Sequence, residues 1–140
     1  MGRRCHAIGV LAGIAVVLAA GCGDTERAPA PRDVAGPARQ VARVVDRLET
    51  AVRTRDFKTV CRDLLTPAAR ERAGGAKCAP TMSKSAAGVR RPRIRVLSIN
   101  VNGRRAEAQI RSSATGQAPL EETLLLHRSG DGYRVAAIGR

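Results

Sequence analysis

Two rhythms divide the chain. Apolar residues recur at three- and four-residue spacing up to about residue 87, and at every second position after Gly88. From Pro37 onward Val41, Val44, Val45, Leu48, Ala51 and Val52 alternate with Arg39, Arg43, Asp46, Arg47, Glu49 and Arg53. That spacing predicts an amphipathic helix of about five turns whose apolar stripe is core, with Pro37 in its first turn. Asp56 is placed to cap a second helix, with Phe57, Val60, Cys61, Leu64 and Leu65 as its inner face. Thr66-Pro67 opens a short third helix, which Gly74-Gly75 stops. Cys78 to Ala87 reads as another short helix.

Beyond Gly88, Ile94 and Val96 alternate, then Leu97, Ile99 and Val101 alternate one step out of phase. A β-bulge near Val96-Leu97 explains the slip. Asn102-Gly103 is a preferred pair for a two-residue hairpin turn, and the return strand runs Arg105 to Ser112 with Ala106, Ala108 and Ile110 on one face. Leu120 to Arg128 is a third strand. Ser129-Gly130-Asp131-Gly132 is a turn, and Tyr133, Val135 and Ala137 alternate in a fourth strand. Helices followed by meandering strands predict an α+β domain, its helices packed on one face of a curved antiparallel four-stranded sheet.

The first residues follow neither rhythm. Arg3 and Arg4 precede an uncharged apolar run, Ala7 to Ala20. As a helix it would rise about 21 Å, short of the roughly 30 Å hydrocarbon core, so it reads as the apolar region of a signal peptide. The run ends Leu18-Ala19-Ala20-Gly21-Cys22. This segment resembles a lipobox, the recognition site for diacylglyceryl transfer and signal peptidase II, with Ala19 where leucine is commoner. The resemblance implies cleavage between Gly21 and Cys22 and a covalent diacylglycerol on Cys22. The alternatives are an uncleaved single-pass anchor, or plain secretion with a free Cys22. On the lipobox reading, residues 1–21 are a lipoprotein signal peptide, 22–36 a lipidated, proline-containing flexible tether and 37–140 the domain. The chain then sits on the extracytoplasmic face of the cell membrane, held by its lipid.

Compartment changes how the remaining composition reads. Cys5 leaves with the leader and Cys22 takes the lipid, so Cys61 and Cys78 remain as a pair in an oxidising space. Pairing would join the second helix to the Cys78 segment; the alternative is a buried Cys61 and a lone thiol at Cys78. Zinc is not expected, because two cysteines and His127 do not supply four ligands. The formal net charge is +13. Without Arg3 and Arg4, 23 basic residues face 12 acidic ones, leaving +11, and all but Lys58, Lys77 and Lys84 of the basic side chains are arginine. Phe57 and Tyr133 are the whole aromatic complement, too few for base stacking, so nucleic acid is not an expected partner. Envelope anions are, if Arg90, Arg91, Arg93, Arg95, Arg104 and Arg105 gather on one patch. A solvated arginine-rich surface is the plainer alternative.

Three stretches resemble the nuclear transport factor 2-like superfamily. Val44-Val45-Asp46-Arg47-Leu48 through Arg55-Asp56-Phe57-Lys58-Thr59-Val60-Cys61 is similar to its opening helices. Leu64-Leu65-Thr66-Pro67-Ala68-Ala69-Arg70 is similar to a Thr-Pro helix start in actinobacterial lipoproteins of that group. Gly132-Tyr133-Arg134-Val135-Ala136-Ala137-Ile138 is similar to its last strand. The resemblance implies a cone-like sheet that can hold a small apolar ligand. Enzymatic members keep acids and bases inside the cone. Here His127 and Tyr133, drawn together across the last hairpin, are the candidates for such a pocket. Glu121 and Glu122 fall on opposite faces of a strand and cannot work as a pair. No nucleophile motif, phosphate loop or metal cluster is visible, so no catalytic residue and no cofactor beyond the lipid is assigned. The expectation is a non-catalytic interaction or small-ligand module of the envelope, with an isomerase- or cyclase-like enzyme as the rival.

Overall fold

The computed structural model describes residues 35–130 and 132–139. The leader, Gly21 and Cys22, and the tether up to residue 34 lie outside the described residues. The described part is α+β: helices first, then an open antiparallel sheet of four strands that neighbour one another in chain order.

Helix α1 (Gly36–Thr54) starts one residue before the spacing predicts, with Pro37 in its first turn. Val41, Ala42, Val44, Val45, Leu48 and Ala51 form its buried stripe. Helix α2 (Phe57–Thr59) is one turn, capped by Asp56, whose carboxylate accepts from the Thr59 amide (3.1 Å) and hydroxyl (2.7 Å). The expected second helix does not continue in α form. Val60–Leu64 is a π-helical turn, closed by the Leu65 amide donating to the Val60 carbonyl at 3.0 Å. The wider turn lets Val60, Cys61 and Leu64 all face the core. It also releases Leu65 into extended backbone, where it bridges in parallel to Val135.

Helix α3 (Pro67–Arg72) is capped by the Thr66 hydroxyl, which accepts from the Ala69 amide at 3.2 Å. A 3₁₀ turn, Gly75–Lys77, leads into helix α4 (Cys78–Ser85). The sulfurs of Cys61 and Cys78 lie at disulfide distance, 1.99 Å, across a sequence separation of 17. This bridge joins the π turn to α4. The Met82 thioether packs 3.6 Å from Cys61 Sγ and 3.9 Å from Cys78 Sγ, a polarizable contact in which the bridged sulfurs have no proton to donate.

The strands are β1 (Arg93–Asn102), β2 (Arg105–Ser113), β3 (Leu120–Ser129) and β4 (Gly132–Gly139). The register of β1 on β2 shifts between Val96 and Ser98, so Leu97 is the extra residue of the expected bulge. Ile94, Val96, Ile99 and Val101 thereby stay on the helix side. The first hairpin turn is displaced from its expected position. Asn102 pairs with Arg105, which makes Gly103 and Arg104 the two central residues. Gly103 takes the positive φ (57°) at the first central position, the place glycine holds in a type II′ turn. A second shift, opposite Leu125 and Leu126, makes Ala136 a bulge. Ala137 therefore pairs with outward-facing Leu125, and the alternation expected for Tyr133, Val135 and Ala137 breaks after Val135.

α1, Phe57 and Leu64 pack on the sheet face that carries Ala106, Ala108, Ile110, Leu124, Leu126, Tyr133 and Val135. Among the described residues no polar or charged residue is buried in this core. Among them, too, no helix is long and apolar enough to cross a membrane.

Candidate functional site

Of the two expected pocket residues, Tyr133 alone borders the space between helices and sheet. Leu48, Leu64, Leu124 and Leu126 fill it. His127 and Tyr133 do not meet. Ser129 pairs with Gly132, so strand parity sets His127 opposite Arg134 and Tyr133 opposite Arg128. Successive side chains point to opposite faces, which puts His127 on the exposed outer face and Tyr133 in the core. The Tyr133 hydroxyl donates to the Gly103 carbonyl at 2.9 Å. The acid–base pair that an isomerase-like site needs is not assembled from these two residues. Glu121 and Glu122 do part to opposite faces: Glu121 pairs with Arg111, and Glu122 accepts from the Ser112 hydroxyl at 3.1 Å.

The six arginines of the expected patch are also divided. β1 and β2 form a ten-residue-long hairpin, about 33 Å from end to end. Arg93 and Arg95 lie at its open end, Arg104 and Arg105 at its turn, and Arg90 and Arg91 in the segment before it.

Arg90 and Arg91 instead join two arginines of α1's end around a cavity of about 710 Å³. Its lining is Val52, Arg53, Arg55, Val89, Arg90, Arg91, Pro92 and Thr115. The local backbone explains how it forms. α1 is closed by Arg55 in the left-handed conformation (φ 59°), a position that glycine usually fills. The side chain supplies what glycine would not. Its guanidinium donates to the Ala86 carbonyl (2.8 Å) and the Val89 carbonyl (3.0 Å), capping the orphan end of α4 with a cation. The Thr115 amide donates to the Arg90 carbonyl at 2.9 Å, closing the opposite wall with the β2–β3 loop. Arg91 is held at φ 49°. Among the described residues, Arg55 and Arg91 are the two non-glycine residues with positive φ, and both line this one cavity. Backbone strain of this kind concentrates at binding and switch sites.

The chemistry of the lining is simple. Val52, Val89 and Pro92 give a half-buried apolar floor, and four guanidiniums surround it with no carboxylate in the lining. Arg55 spends donors on two carbonyls, which leaves Arg53, Arg90 and Arg91 to meet a ligand. Guanidinium forks suit carboxylate and phosphate oxygens. Thr115 contributes a hydroxyl to the same lining. Among the described residues no group of three or more His, Cys, Asp or Glu could hold a metal ion.

A second basin of about 390 Å³ lies at the edge of β4, lined by Gln40, Arg43, Val44, Arg47, Asp63, Gly132, Tyr133 and Arg134. Asp63 is held below the usual aspartate range by the hydrogen bond from Arg62 and by the charges of Arg62, Arg47 and Arg134. Gln40 Oε1 is buried there with no hydrogen-bond partner.

Arg53, Arg55 and Thr115 are not legible in the sequence as site residues. Arg53 reads as part of α1's polar face, and nothing in Thr54-Arg55-Asp56 signals a left-handed arginine. No family model matches the chain, and comparison with curated proteins returns no match.

Proposed function

We propose that the chain is an exported lipoprotein, anchored through diacylglycerol on Cys22, whose α+β domain is a non-catalytic binding module of the cell envelope. The anchoring half rests on the Arg3-Arg4 start, the uncharged run and the Leu18-to-Cys22 segment. The domain is read as a small nuclear transport factor 2-like unit on the order of its helices and strands. Where that family can keep an open cone, leucines fill the interior here. The ligand seat therefore lies at the rim, in the cavity lined by arginine.

One observation carries the binding reading. Arg53, Arg55, Arg90 and Arg91 surround an apolar floor, and no acid in the lining neutralises them. The ligand class that fits is a small amphiphilic anion: a carboxylate or phosphate with a short apolar part. Octyl phosphate is a suitable probe. Titrated calorimetrically, it binds the mature chain, and the pair Arg90→Gln and Arg91→Gln weakens it on the order of a hundredfold, roughly tenfold for each charge-assisted hydrogen bond removed. Unchanged affinity in that variant, or no binding near millimolar probe, removes the reading. For the anchor, the mass of the Cys22 peptide from expressed full chain should carry an acylated residue. A Cys22→Ala chain that stays membrane-bound at mature size removes it.

A further inference from the structure

The end of the domain that receives the tether is a cluster of cations. α1 begins at Gly36, and its early turns bring Arg43 and Arg47 beside Gly132, Tyr133 and Arg134 at the start of β4. The Tyr133 hydroxyl on the Gly103 carbonyl fixes the β1–β2 turn to the same end. Arg104 donates to the Arg128 carbonyl at 3.2 Å, and the Arg128 amide returns a bond to the Arg104 carbonyl at 2.7 Å. On the outer face the register sets Arg105 and Arg134 on either side of His127, across three strands.

Six arginines belong to this end of the domain: Arg43, Arg47, Arg104, Arg105, Arg128 and Arg134. Among the described residues none of the six is in an ion pair. Among the described residues the acids at this end are Asp63, already held by Arg62, Asp46 between Arg43 and Arg47 on α1, and Glu107 two residues from Arg105 on the outer face. Six arginines stand against these three acids. The far end of the sheet is also rich in arginine, but there Arg93 pairs with Glu49 and Arg111 with Glu121, and Arg53, Arg55, Arg90 and Arg91 line the cavity.

We infer that this end is a docking surface for anionic phospholipid headgroups. The orientation rests on the lipid reading of Cys22. The 14 residue steps from Cys22 to Gly36 span at most about 50 Å, and they enter the domain at the cationic end. A bilayer carrying the anchor is thus the extended anionic surface nearest to these arginines. Docking would neutralise arginines that have no ion pair among the described residues. Each arginine close to an anionic surface strengthens binding about fivefold, and the attraction fades within a Debye length.

The test uses the mature chain without its lipid, as Cys22→Ser, sedimented with vesicles of equimolar phosphatidylglycerol and phosphatidylcholine. Binding is expected, is lost as salt rises, and is absent on pure phosphatidylcholine. The triple variant Arg104→Gln, Arg105→Gln, Arg134→Gln lowers it roughly a hundredfold. The triple Arg93→Gln, Arg95→Gln, Arg111→Gln removes the same charge from the far end and lowers it less than about tenfold. Circular dichroism melts establish that both variants are folded. Equal losses from the two triples would mean that net charge alone acts, and would overturn the proposal. So would absence of binding by the folded parent chain, or capture by a soluble anionic polymer with none by vesicles. Because no lipid is attached, failure here leaves the Cys22 reading intact, and an unlipidated Cys22 in cells leaves this result standing.

Discussion

Reducing the Cys61–Cys78 bridge should cost about 3 kcal/mol, and the figure comes from its loop. The bridge closes a sequence separation of 17. On the chain-entropy model a loop of that length restrains the unfolded chain by about 10.5 cal/mol/K, or about 3 kcal/mol at 25 °C. For a domain of this size that is roughly 10–20 °C in Tm. The native-state side of the balance is small for reduction, since both sulfurs stay buried against Met82. Replacing both cysteines by alanine also removes the sulfur packing on Met82, so the Cys61→Ala, Cys78→Ala chain should be less stable than the reduced parent. Urea melts of the Cys22→Ser mature chain, with and without reductant, measure the difference. The m-value should rise on reduction, because an uncrosslinked chain exposes more surface. α4 is otherwise held by the Arg55 guanidinium and by limited packing, so reduction should also weaken octyl phosphate at the cavity that α4's exit helps to wall. A stability change under about 1 kcal/mol, or two free thiols titrated before any reductant is added, would refute the reasoning.

Three further outcomes rest on local hydrogen bonds. Thr66→Ala removes the cap of α3 while leaving the Thr66 amide bond to Val135, and should destabilise by about 1 kcal/mol in a urea melt. Tyr133→Phe deletes the hydroxyl bond to Gly103, and a loss of about 0.5–1.5 kcal/mol is expected with the core intact; a larger loss would show that the ring also shifts. Asp56 sits below the ordinary value of 3.8 through its bonds from the Thr59 hydroxyl and amide, and Asp63 through its bond from Arg62. A depressed folded pKa adds stability above the unfolded value that is lost as pH falls through the folded one. Tm should thus hold level from pH 7 to 5 and decline below about pH 4. Asp56→Asn, which can still cap, should flatten part of that decline.

What the sequence could and could not disclose sorts by physical range. α1's stripe, the Thr66-Pro67 start and the bulge at Leu97 are set by local periodicity and side-chain chemistry, so they are readable from neighbours alone. The cysteine pairing is legible from the count together with the expected oxidising compartment. The turn at Gly103-Arg104 shows a finer limit: Asn102-Gly103 marks the hairpin, yet only pairing across the strands decides which residue carries the positive φ. The separation of His127 from Tyr133 is hidden for the same reason. Once Ser129 faces Gly132, parity divides them, and one residue of register decides between a shared pocket and opposite faces. The bulge at Ala136 and the π turn answer to tertiary packing around Leu65 and Val135. The cavity is the least legible part. Its walls come from a helix end, a linker and a loop, and its key strain lies on an arginine where a glycine would have announced a cap.

The open sheet has consequences for copies concentrated in two dimensions, as the proposed anchor on Cys22 would hold them. Four strands in sequence order leave two edges, each a row of backbone groups able to pair with a neighbour. The β4 edge is closed in its middle: Leu65 bridges to Val135, the Thr66 amide takes the Val135 carbonyl, and Arg72 donates to the Ala136 carbonyl. The bulge at Ala136 then cuts its remaining run to three residues, Ala137 to Gly139. The β1 edge carries the Leu97 bulge in its middle and Arg93 and Arg95 before it. Neither edge offers a long, straight, uncharged template. Copies held shoulder to shoulder on one surface can therefore crowd without zipping into a shared sheet.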